Sequence, residues 1–116
     1  MSDWTEGRKK SFITSVLRGG SRRWPPRNNV LNASKTEKKV NPLSGRMAQH
    51  FKCASCNQDF PAKQVAVDHK TPVVDPAQGF VDWNTFITRL YCDEDNMQVL
   101  CGTCHDHKSA MERKQR

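Results

Sequence analysis

Four cysteines fall into two short pairs, Cys53-Ala-Ser-Cys56 and Cys101-Gly-Thr-Cys104, with 44 residues between them. Each pair has the spacing of a tight knuckle turn. Two thiolates from each complete a tetrahedral site for one zinc ion. A closed site of four thiolates leaves no open position for chemistry, so the expected role of the ion is structural. Its removal should then unfold the chain around it. The other common use of a CxxC pair is redox exchange, which needs a βαβ context that this sequence lacks. The fifth cysteine, Cys92, has no partner in the pattern and reads as a small, half-buried hydrophobe.

Between the pairs stands Asp68-His69. A carboxylate beside an imidazole can hold a divalent ion and a water next to it. Alone, such a pair is usually structural. Here Asn96 precedes the second cysteine pair and His105 follows Cys104 directly, so the ordered set carries the signal. Asn84 also lies between the histidines, but it reads as the start of a helix. His50 has no partner in sequence. His107 and Asp106 point away from His105 on a helix. Asp75 and the Asp93-Glu94-Asp95 cluster read as solvated turns.

These groups need elements to hold them. Val65 and Val67 alternate with smaller or polar neighbours, which predicts a strand ending in Asp68-His69. Residues 95–101 predict a second strand that enters the second knuckle, and residues 105–113 a helix. Two strands and one helix pinned together would bring Asp68, His69, Asn96 and His105 to one place. Between the strands, Trp83, Phe86, Ile87 and Leu90 form an apolar stripe at helical spacing, expected to pack in a core. In residues 11–17, Phe12, Ile13, Val16 and Leu17 form another, with Gly19-Gly20 expected to stop that helix. Trp24-Pro25-Pro26 predicts an extended turn with Trp24 as a packing anchor. Residues 32–45 are rich in Lys, Asn and Ser and read as a solvated, partly disordered stretch.

The 116 residues suffice for one domain. With 35% hydrophobic and 27% charged residues, its core is thin and calls for staples. Charge is divided unevenly. Residues 1–52 hold 12 Lys/Arg against 3 acids, whereas residues 53–116 hold 7 against 9. A basic arm on a near-neutral body implies a polyanion partner. Arg22, Arg23 and Arg27 are its expected phosphate contacts. The boundary is placed at 50/51, giving a basic arm with a short helix at 1–50 and a second unit at 51–116. MSDWTEGRKK is polar, without a secretory apolar stretch, and no run approaches membrane-spanning length, so the expected location is cytoplasmic and no membrane is involved.

The order Cys-x-x-Cys, Asp-His, Asn, Cys-x-x-Cys-His, then Lys resembles the zinc-binding HNH endonucleases, especially small phage-encoded ones. The resemblance spans residues 51–113, and the SRRWPP and KTEKK stretches are similar to the leaders of such proteins. It implies a small α+β fold: a ββα-metal, treble-clef-like module stapled by a zinc on four cysteines, with a basic helical N-terminal arm. It implies that Cys53, Cys56, Cys101 and Cys104 bind the structural zinc and that Asp68 and His105 bind a catalytic Mg²⁺ or Mn²⁺. His69 would be the general base, Asn96 would position its loop, and Lys108 would meet a phosphate. The implied activity is cutting or nicking of DNA, expected to be double-stranded, in a host cytoplasm if the chain is phage-encoded. Phosphodiester hydrolysis suits these residue types: imidazoles titrate near neutral pH and can take a proton from water. The alternatives are a non-catalytic zinc-ribbon nucleic-acid-binding protein, or an accessory factor to a phage DNA-processing machine. No dimer surface is evident in the sequence; a monomer is one expectation.

Overall fold

The computed structural model describes residues 3–114. The chain runs α1 (Glu6–Ser21), α2 (Pro25–Ala33), β1 (Lys35–Val40), β2 (Met47–Lys52), β3 (Asp59–Pro61), β4 (Val65–His69), α3 (Trp83–Leu90), β5 (Met97–Cys101) and α4 (Gly102–Lys114). It is a small α+β fold. Short 3₁₀ turns at Ala62–Gln64 and Glu94–Asn96 lead into β4 and β5. No helix among the described residues is long and apolar enough to cross a membrane.

Thr5 caps α1 by accepting a hydrogen bond from the Arg8 N–H at 3.2 Å. The helix includes Gly19-Gly20 and ends one residue later at Ser21, where the Arg22 N–H closes on the Gly19 and Gly20 carbonyls. Gly20 also has a tertiary role. Tyr91 donates its hydroxyl to the Leu17 carbonyl at 2.7 Å, and a Cβ at Gly20 would lie 2.8 Å from that hydroxyl oxygen. Gly20 thus admits a close neighbour on the last turn of the helix. The expected apolar face splits: Ile13 and Leu17 are half-buried, while Phe12 and Val16 are exposed.

The two prolines also differ from expectation. They occupy the first positions of α2, where a missing N–H costs nothing, and Trp24 is the extended residue before them. Trp24 is indeed an anchor. Its indole N–H donates to the Cys92 carbonyl at 2.7 Å, and its ring meets Tyr91 edge-on at 5.6 Å.

Residues 32–45, read as solvated, contain β1. It pairs antiparallel with β2 through a turn where Gly45 adopts φ +73°. β2 pairs with β3, giving the order β1-β2-β3. Lys39 (2.6 Å) and Thr36 (2.8 Å) reach Asp59 at the start of β3. Cross-strand partners, invisible to local composition, thus order this stretch. The 50/51 position falls inside β2. His50 is buried there and donates Nδ1–H to the Ala48 carbonyl at 2.9 Å.

β4 and β5 form a separate antiparallel pair, in register from Val65↔Cys101 to His69↔Met97. α3 lies in the connection between them. Asp82, not Asn84, caps it by accepting from the Thr85 N–H at 2.7 Å. Phe86 and Leu90 are buried with Val73, and Leu17, Trp83 and Tyr91 pack around them; Ile87 faces outward. A second small core holds Cys53, Leu100 and Cys101 beside Phe60 and Cys104.

The α1–Tyr91 contact can be tested by a double-mutant cycle in urea denaturation. Tyr91→Phe removes the oxygen that an alanine at position 20 would strike. Gly20→Ala should therefore be more favourable in the Tyr91→Phe background than in the wild type, by about 1 kcal/mol. Additive effects would show that helix and tyrosine do not meet.

Candidate functional site

The four cysteine sulfurs Cys53, Cys56, Cys101 and Cys104 lie within 4.8 Å of one another. Sulfurs around one zinc, each at about 2.3 Å in a tetrahedron, stand roughly 3.8 Å apart. The Cys56–Cys101 pair is at 4.0 Å. The cluster can therefore hold a structural metal such as zinc. Cys92 stands apart from it and is half-buried.

Local backbone shapes the first knuckle. Asn57 donates to the Cys53 carbonyl at 3.0 Å and takes φ +63°, a left-handed conformation asparagine tolerates. Cys53 N–H donates to the Gln58 carbonyl, and Ala54 N–H donates to the Val99 carbonyl, each at 2.8 Å. The last bond ties the knuckle to β5. The second pair sits at the β5–α4 corner, because α4 begins at Gly102, earlier than periodicity suggests.

Burial opposes ionisation of Cys53, but the N–H groups of Cys56, Cys101 and Ser55 outweigh it and hold the thiol down to about 6. The Cys101 thiol and burial push Cys104 up to about 12. The thiols thus share protons unequally until a metal replaces those protons.

The second group lies where β4 ends against α4. Asp68 is largely buried. Its Oδ1 is 3.7 Å from His105 Nε2, and its Oδ2 is 3.1 Å from Lys108 Nζ. Oδ2 is buried and, despite the lysine's proximity, accepts no well-formed hydrogen bond. Lys108 also bonds Glu112 one turn on. Partial burial works against its ammonium, but Glu112 and Asp68 outweigh it and raise its pKa above the usual lysine value.

His69, the last residue of β4, bonds through Nε2 to the Leu90 carbonyl at 2.9 Å. A carbonyl only accepts, so Nε2 carries the hydrogen and Nδ1 of the neutral ring keeps a lone pair. Leu90 is the last residue of α3, whose final carbonyls lack helical partners. Asn96 holds the segment after His69 twice. Its carbonyl accepts from Lys70 N–H at 2.8 Å, and its side-chain oxygen from Thr71 N–H at 3.2 Å.

Asp68, His69, Pro72, Val73, Val74, Lys108, Glu112 and Arg18 line a cavity of about 250 Å³. Asp68 lines this cavity, whereas His105 stands outside its lining, 3.7 Å from Asp68 Oδ1. Two donors about 2.1 Å from one ion can be at most about 4.2 Å apart, and Asp68 and His105 are within that limit. Oδ2 already faces the Lys108 ammonium at 3.1 Å, so a metal ion would share this carboxylate with that lysine.

The structure thus brings Asp68, His69, Asn96, His105 and Lys108 to the end of one strand pair. Arg22 and Arg23 lie just beyond α1, Arg27 is in α2, and none of the three lines this cavity. Arg27 instead donates to the Arg22 carbonyl at 3.3 Å. His107 lines a neighbouring cleft with Lys70 and Lys108. Asp75 accepts from Ala77 N–H within its own turn. Sequence reasoning missed Glu112, Arg18 and the Leu90 carbonyl. Glu112 was within reach, since it stands four residues after Lys108, where helical side chains meet. Arg18 flanks the half-buried Leu17 on α1, but nothing local shows what that helix faces.

No protein-family model matches the chain, and no curated protein or solved structure is significantly similar to it.

The thiol cluster predicts that purified protein carries one zinc per chain. Chelation, or Cys101→Ser, should collapse the dispersed amide NMR spectrum. Structural zinc contributes about 10–16 kcal/mol in small zinc modules, as much as a small domain's whole stability of roughly 5–15 kcal/mol. A well-dispersed spectrum without metal would rule out a folding role for the ion.

Proposed function

We propose that the chain is a metal-dependent endonuclease of the HNH type that hydrolyses DNA phosphodiester bonds. In this reading β4, β5 and α4 make its ββα-metal module and Cys53, Cys56, Cys101 and Cys104 hold a structural zinc. The observation that carries the reading is His69. Its Nε2 is committed to the Leu90 carbonyl at 2.9 Å, which leaves Nδ1 as a proton acceptor beside Asp68, itself 3.7 Å from His105.

The chemistry follows from those placements. His69 Nδ1 takes one proton from a water as the water oxygen bonds to phosphorus. The P–O3′ bond breaks, and the leaving oxygen collects a proton from solvent. The products are a 5′-phosphate and a 3′-hydroxyl. His69 becomes positive in this step, and the carbonyl end of α3 complements that charge. Asn96 prevents residues 70 and 71 from carrying the ring out of position. Asp68 and His105 would hold Mg²⁺ or Mn²⁺, which when bound supplies Lewis-acid stabilisation of the phosphate and the leaving oxygen. The carboxylate would then be shared with Lys108. The excess of basic residues in 1–52 supports a polyanion substrate.

A supercoiled-plasmid assay tests this directly. With Mg²⁺ or Mn²⁺ the zinc-loaded protein should convert plasmid to open-circle or linear DNA, and EDTA should stop it. His69→Ala should lower the rate by about 10²–10⁴-fold while zinc content, fold and DNA binding persist. A His69→Ala protein as active as wild type would exclude this base. DNA binding without cutting by folded, zinc-loaded protein would favour the non-catalytic zinc-ribbon reading or the accessory factor.

A further inference from the structure

The cleft holds two carboxylates, Asp68 and Glu112, and two cations, Lys108 and Arg18. The cations are not in equal states. Lys108 lies between both carboxylates, 3.1 Å from Asp68 Oδ2 and bonded to Glu112. Its charge is taken up by those neighbours. Arg18 has neither a hydrogen-bond nor a carboxylate partner for its guanidinium among the described residues. It is the uncommitted cation lining the cleft.

Its placement is built rather than incidental. The preceding residue, Leu17, gives its carbonyl to the Tyr91 hydroxyl, and Gly20 lets the helix approach that ring. The guanidinium carbon lies 5.5 Å from the centroid of Phe86, a residue only 2% exposed. A cation over an aromatic face is held without using its donors. All five N–H groups stay available to a planar anion, which a guanidinium binds bidentately. Electrostatics asks for this group. A phosphodiester entering the cleft meets two carboxylates whose single lysine they already neutralise. Arg18 supplies the compensating charge.

We propose that Arg18 clamps the phosphate of the strand that enters this cleft, so that α1 forms part of the substrate site. The inference rests on the endonuclease reading for its substrate. It departs from the sequence-derived contacts Arg22, Arg23 and Arg27, and it makes residues 51–116 an incomplete site on their own.

The test uses the full zinc-loaded chain and a fluorescein-labelled DNA duplex. In the His69→Ala background, binding is followed by anisotropy across a salt series. Arg18→Ala should weaken binding roughly fivefold to tenfold near 0.1 M salt and lower the slope of log K against log salt by about one. Arg18→Lys should keep the slope. Arg18→Met, which retains an aliphatic stem over Phe86, should behave as Arg18→Ala, and all variants should match their parent in zinc content and thermal midpoint. In the cutting-competent chain at saturating DNA, Arg18→Ala should slow single-turnover cleavage about 100-fold. Unchanged affinity and slope would overturn the proposal. Weaker binding with an undiminished saturated rate would also overturn it, because Arg18 would then grip DNA away from the cleft. If the parent binds but never cuts, the nuclease reading falls and the salt slope still decides Arg18. A folded parent that binds no DNA overturns both.

Discussion

Four thiols crowded within 4.8 Å set where the rest of this chain can go. They bring a knuckle after β2 against the corner between β5 and α4, where a metal such as zinc could join the two. Cys53 is fully buried there, and the Ala54–Val99 backbone bond carries the knuckle onto β5. The apolar core beside the cluster is small, so burial alone is a weak source of order. Register transmits the constraint. Cys101 pairs with Val65, and counting along the ladder puts His69 opposite Met97. A one-residue slip would exchange the faces of Asp68 and His69. The same corner launches α4, whose His105 and Lys108 then fall on Asp68.

The segment between the paired strands provides more than a connection. α3 buries Phe86 and Leu90 and presents the Leu90 carbonyl to His69. Tyr91, one residue later, holds α1 through the Leu17 carbonyl. The adjoining Cys92 carbonyl holds Trp24. Three consecutive residues thus join the N-terminal helices to the strand end. If the cleft is the nuclease centre proposed here, its base, its tautomer and its access all depend on that short stretch.

Charge works differently in the two halves. The excess of lysine and arginine in residues 1–52 describes long-range attraction to a polyanion, which needs no particular geometry. Within the cleft geometry decides everything. Lys108 is tied to carboxylates, whereas Arg18 keeps its donors free. The two cations differ because of the side chains around them, not because of their own chemistry.

Much of the architecture was legible in the sequence. The paired cysteines specify a metal cluster because a knuckle is local and its spacing is printed in the chain. The strand ending at His69 and the helix at 83–90 follow from periodicity, which is also local. Prolines were less informative than glycines. Gly19-Gly20 end α1 within one residue and also admit the Tyr91 hydroxyl, whereas Pro25-Pro26 start a helix beside Trp24, which the Cys92 carbonyl holds. The strand at 35–40 was hidden because its order comes from pairing with β2, not from its own composition. The sequence therefore determined the cysteine set, the strands that end at His69 and enter Cys101, and the helix at 83–90 through short-range spacing. Only the tertiary structure decided that α1 delivers Arg18 to the cleft and that the Leu90 carbonyl orients His69. Those depend on contacts between distant residues, and a backbone carbonyl has no signature in the amino-acid code.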